Sequence, residues 1–222
     1  MKIVILTCEK YTWMIPLFYH FLNKYWPHCP YKTEIVADAV PNLDIPFSPH
    51  TDSVFYTEGV SWSSGILNYI KQSKDDKFLL TPEDYILKSP VNTDRVLEAE
   101  ALCTGSVGCV RLNAPDKYFV HTKDVNIKGF KEYPLDRSYS MSMQAAIWQR
   151  DYLIDVLRHG EDAWQAEIDG SKRLAVLMHK WRILWTTEAI WDYQAGGFMV
   201  AGRPRLDVVK WTIQALIEEI KQ

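Results

Sequence analysis

The chain has few cysteines, no long apolar run and no excess of positive charge, and each absence closes off a class of function. Cys8, Cys29, Cys103 and Cys109 fit neither the spacing of a zinc site nor a redox Cys-x-x-Cys pair. They are expected to be free buried thiols, as in a reducing compartment. Apolar runs are broken by Lys, Asp or Pro far short of the ~20 residues of a membrane span, so no transmembrane segment is expected. The run from Lys2 to Thr7 is too brief for a signal peptide and an acid follows it at Glu9. It reads as a first buried strand, and the protein as cytoplasmic. A net charge of −3 over 222 residues supplies no global positive field, which counts against nucleic acid as the main partner and weakly against a DNA-modifying activity. Internal repeats, low-complexity tracts and long linkers are also missing.

What is present is a core-forming composition, 47% hydrophobic, with nine Trp and twelve Tyr. Aromatics are mostly packing material, but their faces also stack on sugars and bases. Lys2–Thr7, Tyr31–Asp38, Val54–Thr57 and Lys77–Leu80 read as strands. Between them, Met14, Leu17, Phe18, Phe21, Leu22 and Tyr25 recur at helical spacing before Pro27 and Pro30, and Ile66, Leu67 and Ile70 form a stripe behind a Ser61 or Ser63 cap. Pro41–Asp52 reads as a loop. This alternation predicts a mostly parallel sheet flanked by helices, an α/β fold. Farther on, Val91–Leu102 is predicted helical, Val107–Leu112 and Tyr118–His121 as strands, and Phe130–Ser142 as an irregular Tyr-rich ribbon. Gln144–Leu157, Asp162–Ile168 and Asp207–Ile220 are predicted helical, and Leu174–Ala195 shows no clean period.

The most informative segment is Phe78-Leu79-Leu80-Thr81-Pro82-Glu83-Asp84-Tyr85. Charges beside a core must be solvated, paired or bound to a cation. One reading is a strand that ends in a polar turn. The other sets Glu83 and Asp84 at the carboxyl edge of a central strand, where open α/β sheets hold ligands and hard oxygens suit Mg²⁺ or Mn²⁺ on nucleotide phosphates.

Thr7-Cys8-Glu9-Lys10-Tyr11, followed by Lys24-Tyr25-Trp26-Pro27 and Cys29-Pro30-Tyr31, is similar to the opening of a small bacterial and viral branch of the GT-A nucleotide-sugar-dependent glycosyltransferases, found near polysaccharide biosynthesis genes. Glu83-Asp84-Tyr85 with Pro90-Val91 resembles the branch's D-x-D element. Gln144-Ala145-Ala146-Ile147-Trp148, then Tyr152-Leu153, Glu161, Trp164, Glu167 and Gly170-Ser171, resembles its C-terminal signature. The likeness covers about the first 175 residues and is specific only in combination.

The resemblance implies a GT-A (Rossmann-like) domain with a nucleotide-binding half at 1–112 and an acceptor and catalytic half at 113–175; residues 176–222, beyond the likeness, are expected to complete a single domain over 1–222 as a C-terminal helical extension. It implies transfer of a sugar from a nucleotide-sugar donor to a saccharide or glycolipid acceptor, with Mn²⁺ or Mg²⁺ on the diphosphate held by Asp84, and with Glu83, which departs from the Asp of D-x-D, as a second ligand or a ribose contact. Thr7, Cys8, Glu9 and Tyr11 are expected at the base and ribose, or else they merely finish the strand and pack. Trp62 and Ser63 could present a helix N-terminus to the donor, or serve as core and cap. Gln144 could contact the donor sugar or cap a helix. For a base that takes the acceptor proton the candidates are Asp162 and Glu161, then Glu167, and the first two could equally be capping acids. Trp164 and Trp148 are the expected acceptor contacts, with His179 a late metal ligand or a structural residue. A sugar nucleotidyltransferase would normally carry a glycine-rich loop where Cys8-Glu9-Lys10-Tyr11 stands, and a binding protein that has lost catalysis is the non-enzymatic alternative.

Overall fold

Side chains of the first strand alternate between two layers: Ile3 and Ile5 pack into one, Val4 and Leu6 into the other, and all four are buried. A strand covered on both faces belongs inside a sheet with helices on each side. The computed structural model describes residues 1–38, 51–57, 59–113, 115–117, 119–193, 197–200 and 203–220. The order along the chain is β1 (Lys2–Thr7), a 3₁₀ turn, α1 (Ile15–Tyr25), β2 (Thr33–Ala37), β3 (Thr51–Tyr56), α2 (Trp62–Gln72), β4 (Lys77–Pro82), α3 (Thr93–Leu102) and β5 (Val107–Arg111). There follow β6 (Lys123–Asp124), β7 (Phe130–Tyr133), β8 (Ala146–Gln149), α4 (Arg150–Val156), α5 (Ala163–Val176), β9 (Arg182–Thr186), β10 (Met199–Val200), β11 (Arg203–Pro204) and α6 (Leu206–Ile220).

Among the described residues nine strands form one sheet, in the order β3-β2-β1-β4-β8-β5-β9-β7-β6. β1 to β5 and β9 run parallel, and β8 is inserted antiparallel between β4 and β5. One face carries α1 and α3, with Phe18, Tyr19, Leu22, Val96 and Ala99 over Ile5, Ile35 and Leu79. The other carries α2, α4 and α5, with Ile66, Leu67, Leu153 and Ala166 over Val4, Phe78 and Trp148. Outside the first layer α6 adds a third cluster, in which Val208 and Ala215 meet Met14, Phe21, Ile86 and Phe198. Among the described residues no helix is long and apolar enough to cross a membrane.

Several sequence expectations change. Gln144–Leu157 is not one helix: Ala146–Gln149 is β8, paired on both sides, and the helix starts at Arg150, whose amide donates to Asp76 O at 2.9 Å. Trp148 is therefore fully buried in the core and cannot meet an acceptor. Phe119–His121 is a 3₁₀ turn where a strand was expected, and Tyr118 lies outside the described residues. The loop expected over Pro41–Asp52 falls outside them through residue 50, and β3 begins at Thr51. β9 lies within the sheet between β5 and β7, so residues 176–222 are not simply an extension.

Candidate functional site

Parallel register brings the strand ends together. Thr7 pairs with Ala37 and Leu6 with Pro82, so Cys8, Asp38 and Glu83 emerge side by side at the carboxyl edge. This is the edge at which open α/β sheets hold ligands. Asp38 accepts the Glu9 amide at 2.7 Å. The Cys8 thiol is pushed up by burial and then by the charges of Glu83 and Asp38.

Glu83 continues the strand, its amide donating to Leu6 O at 3.2 Å, and its side chain is only 6% exposed. Burial, then Asp84 and Asp38, push its carboxyl well above the ordinary range. Burial also pushes Asp84 up, to about 6, partly offset by the Met199 N–H. Among the described residues no cation acts on either group, and an uncompensated pair of buried carboxyls is costly. The arrangement suits a site that receives positive charge from elsewhere.

The rest of the site comes from a part of the chain in which the sequence showed no pattern. Phe198 N–H donates to Asp84 O at 2.9 Å and Met199 N–H to its Oδ2 at 3.3 Å. Gly197 makes this approach possible: its φ is +71°, and a Cβ there would fall 2.2 Å from Asp84 Oδ2. Tyr193 stacks on Tyr85 with centroids 4.3 Å apart, and the Trp191 indole donates to Tyr85 O at 3.1 Å. Trp13, half exposed, meets the edge of Phe198 at 6.1 Å and adds an aromatic lip.

From the opposite side α5 contributes Glu167. Its Oε1 accepts the Met143 amide at 2.7 Å, and the Ser142 hydroxyl also donates to it. Burial nevertheless leaves its carboxyl raised, against those bonds and the Arg111 charge. Tyr85 marks where the acids converge, because after burial the charges of Asp84, Glu167 and Glu83 all push its phenol up. Arg111, at the end of β5, is buried beneath this edge between the Tyr133 and Trp185 rings, 4.5 and 4.8 Å from their centroids. Its guanidinium donates to the carbonyls of Tyr139 and Ser140 and so fixes the turn that leads to Met143. Gln144 is half buried two residues before Ala146, which faces Leu80.

Other expected residues have local duties. Glu161 is paired with Arg173 at 2.7 Å and accepts the Arg158 amide. Asp162 caps α5 in a reciprocal capping box with Gln165. Ser63 donates to Arg158 O at 2.6 Å and accepts the Glu161 amide at 2.9 Å, so the start of α2 is clasped by residues 158–161. Trp62 packs against the second core layer. Trp164 is exposed on the first turn of α5, whereas Glu167 on the next turn points inward. Thr7 ends β1 and its hydroxyl donates to Cys8 O; Glu9 is exposed, and Tyr11 lies under the Lys10 ammonium at 5.3 Å. His179 is exposed beyond the far end of α5, near the start of β9, at the opposite edge from Glu83. It cannot join an ion held at Asp84.

Among the described residues no group of three or more His, Cys, Asp or Glu side chains could hold a metal ion. Magnesium, however, is usually held by one or two carboxylates and completed by substrate phosphates and water. Glu83 and Asp84 fit that donor set.

The strand order, with antiparallel β8 inserted among parallel strands, is that of a GT-A fold. No family model and no curated protein matches the sequence. Solved structures do. The chain is similar to S. aureus TarS, with a TM-score of 0.59 at 14% identity over 88% of this chain and 37% of that one. It is similar to TarS 1–349 in complex with UDP-GlcNAc (0.56, 14% identity, 99% of this chain and 66% of that one). It also resembles CMP:2-keto-3-deoxy-manno-octonic acid synthetase complexed with CTP (0.52, 11% identity, 98% of both chains). The chain thus spans little more than a third of the longer TarS chain.

Proposed function

We propose that the chain transfers a sugar from a nucleotide-sugar donor to a saccharide acceptor. The observation that carries this reading is the buried Glu83-Asp84 pair that follows β4 at the carboxyl edge of a GT-A sheet, covered by the 197–199 segment, with Glu167 near enough for its charge to act on Tyr85. Asp84, with Glu83 beside it, would hold Mg²⁺ or Mn²⁺ together with the donor diphosphate. When bound, the ion would neutralise charge on the departing nucleoside diphosphate. The strand ends at Thr7, Cys8 and Asp38 receive the nucleoside, and Gln144 faces the donor sugar. Glu167 takes the proton of the acceptor hydroxyl as its oxygen bonds to the sugar and the bond from sugar to diphosphate breaks. Its Oε1 accepts the Met143 amide at 2.7 Å and the Ser142 hydroxyl donates to the same carboxyl, which fixes the group between α5 and the 141–143 turn.

Structures of TarS contain UDP and UDP-GlcNAc, which puts uridine nucleotides first among the probes. In a thermal-shift panel with Mn²⁺, a nucleotide present at 100 times its dissociation constant adds about 2.7 kcal/mol, or roughly 5–10 °C at this size. Asp84→Asn is expected to abolish both the shift and hydrolysis of the donor. No shift with any nucleoside diphosphate or its sugar would sink the proposal. The full-length similarity to a synthetase bound to CTP supports a second reading, sugar nucleotidyl transfer. That chemistry consumes a nucleoside triphosphate and releases pyrophosphate, so the phosphate product distinguishes the two.

A further inference from the structure

A half-open cavity of about 430 Å³ lies between the 136–139 turn and α5 and has the size of a small-molecule site. Tyr139 lines it with a φ of +58°, the single non-glycine residue with positive φ among the described residues. Strain of this kind in a bulky residue persists only where the surroundings enforce it, and it gathers at ligand clamps. Here the enforcement is visible. Arg111 holds the carbonyls of Tyr139 and Ser140, Tyr133 OH donates to Ser138 O at 2.9 Å, and Ser140 N–H to Arg137 O at 3.2 Å.

Opposite the turn, Ile168 and Ala175 give the cavity an apolar wall, and Ile168 is half exposed with no core to fill. Ser138, Arg137 and Lys172 supply hydrogen-bonding groups. Both cations are already offset, Arg137 by Asp136 at 3.9 Å and Lys172 by Asp169 at 2.7 Å. An apolar and aromatic floor under a polar but electrically balanced rim suits an uncharged sugar ring better than a polyanion.

The cavity shares the face of α5 that carries Glu167 one turn earlier. Ser171 lines it and donates to Glu167 O at 2.7 Å while accepting the Met141 amide at 3.1 Å. Ser171 lies one helical turn beyond Glu167, and Ala175 about 12 Å along the axis, a span longer than one sugar ring. We infer that the cavity is a second acceptor subsite, holding the uncharged sugar next to the one that reacts, so that the acceptor is an oligosaccharide. The inference rests on the transferase reading for the identity of the reacting unit.

The test compares lactose, maltose, cellobiose and chitobiose with the methyl glycosides of their component sugars, by calorimetry on the full chain with UDP and Mn²⁺. At least one disaccharide is expected to bind about 10-fold more tightly than either methyl glycoside. Tyr139→Gly, which suits the positive φ, and Ile168→Gln, at a half-exposed helix position, are each expected to reduce that preference to about 2-fold or less, with the UDP thermal shift as the check on folding. Equal binding of mono- and disaccharides, or an undiminished preference in both variants, would overturn the subsite. A disaccharide preference without any UDP shift in the unmutated chain would instead sink the transferase reading and leave the subsite standing.

Discussion

Glu167 is subject to opposed influences. Two donors and the Arg111 charge favour its ionised form, burial opposes it, and burial wins. A folded-state carboxyl that binds its proton more tightly than the unfolded one costs stability as pH rises: the penalty is absent below the unfolded value and grows through the folded value. Glu167→Gln keeps an oxygen for the Met143 amide while removing the base. Turnover is expected to fall roughly 10²- to 10⁴-fold. The variant should also gain thermal stability over the unmutated chain at pH 8 and little at pH 4, measured by unfolding scans at both. Full turnover in the Glu167→Gln variant would hand the role to another group. Gly197 is a second test at this scale. A methyl there meets Asp84 Oδ2 and demands a left-handed backbone from alanine. Gly197→Ala is expected to cost on the order of 1–3 kcal/mol by denaturant titration and to weaken nucleotide binding, because the 197–199 segment must lift from the acid it contacts.

Among the elements, the start of α5 separates structural acids from a chemical one. Asp162 is bound in its capping box and Glu161 to Arg173, while Glu167, one turn on, meets Met143. Asp162→Ala is expected to lower stability by about 1 kcal/mol, roughly 2–4 °C, and to leave kcat near that of the unmutated chain. A large loss of kcat at unchanged melting temperature would return Asp162 to the role of base. The strand ends were legible from sequence because β1, β2 and β4 are continuous β-prone runs that stop at polar residues, and the acids at Glu83 and Asp84 stand out against them. Asp38 ends β2 in the same way, and the reasoning that selected Glu83 would have found it. β8 was not legible as a strand: Ala146 to Gln149 is too short to distinguish a period of two from a helical turn, and Arg150 continues directly into α4. β9 shows no period because both its faces are buried. Tyr193 and Gly197 carried no signal, since their contacts with Tyr85 and Asp84 span over a hundred residues.

At the scale of the whole molecule, α6 couples the outer layer to the site. Arg205 N–H donates to Phe198 O at 2.9 Å just before the helix, and Phe198 N–H donates to Asp84 O. Val208 and Ala215 then bury Phe198 against Met14 and Phe21 of the first helical layer. The helix thereby holds the 197–199 segment against Asp84. A chain ending at Pro204 leaves Phe198, Phe21 and Ile86 uncovered, at roughly 1.5–3 kcal/mol for each large side chain, so a fall in melting temperature of roughly 10 °C or more is expected. Loss of stability alone would follow from any core damage. The sharper expectation concerns Val208→Ala, which trims the same contact for about 2 kcal/mol and leaves the chain folded. If α6 positions the segment over Asp84, this variant weakens UDP binding well below the temperature at which it unfolds. Calorimetric titration at 15 °C is the measurement, and unchanged UDP affinity at that temperature would confine α6 to a purely stabilising part.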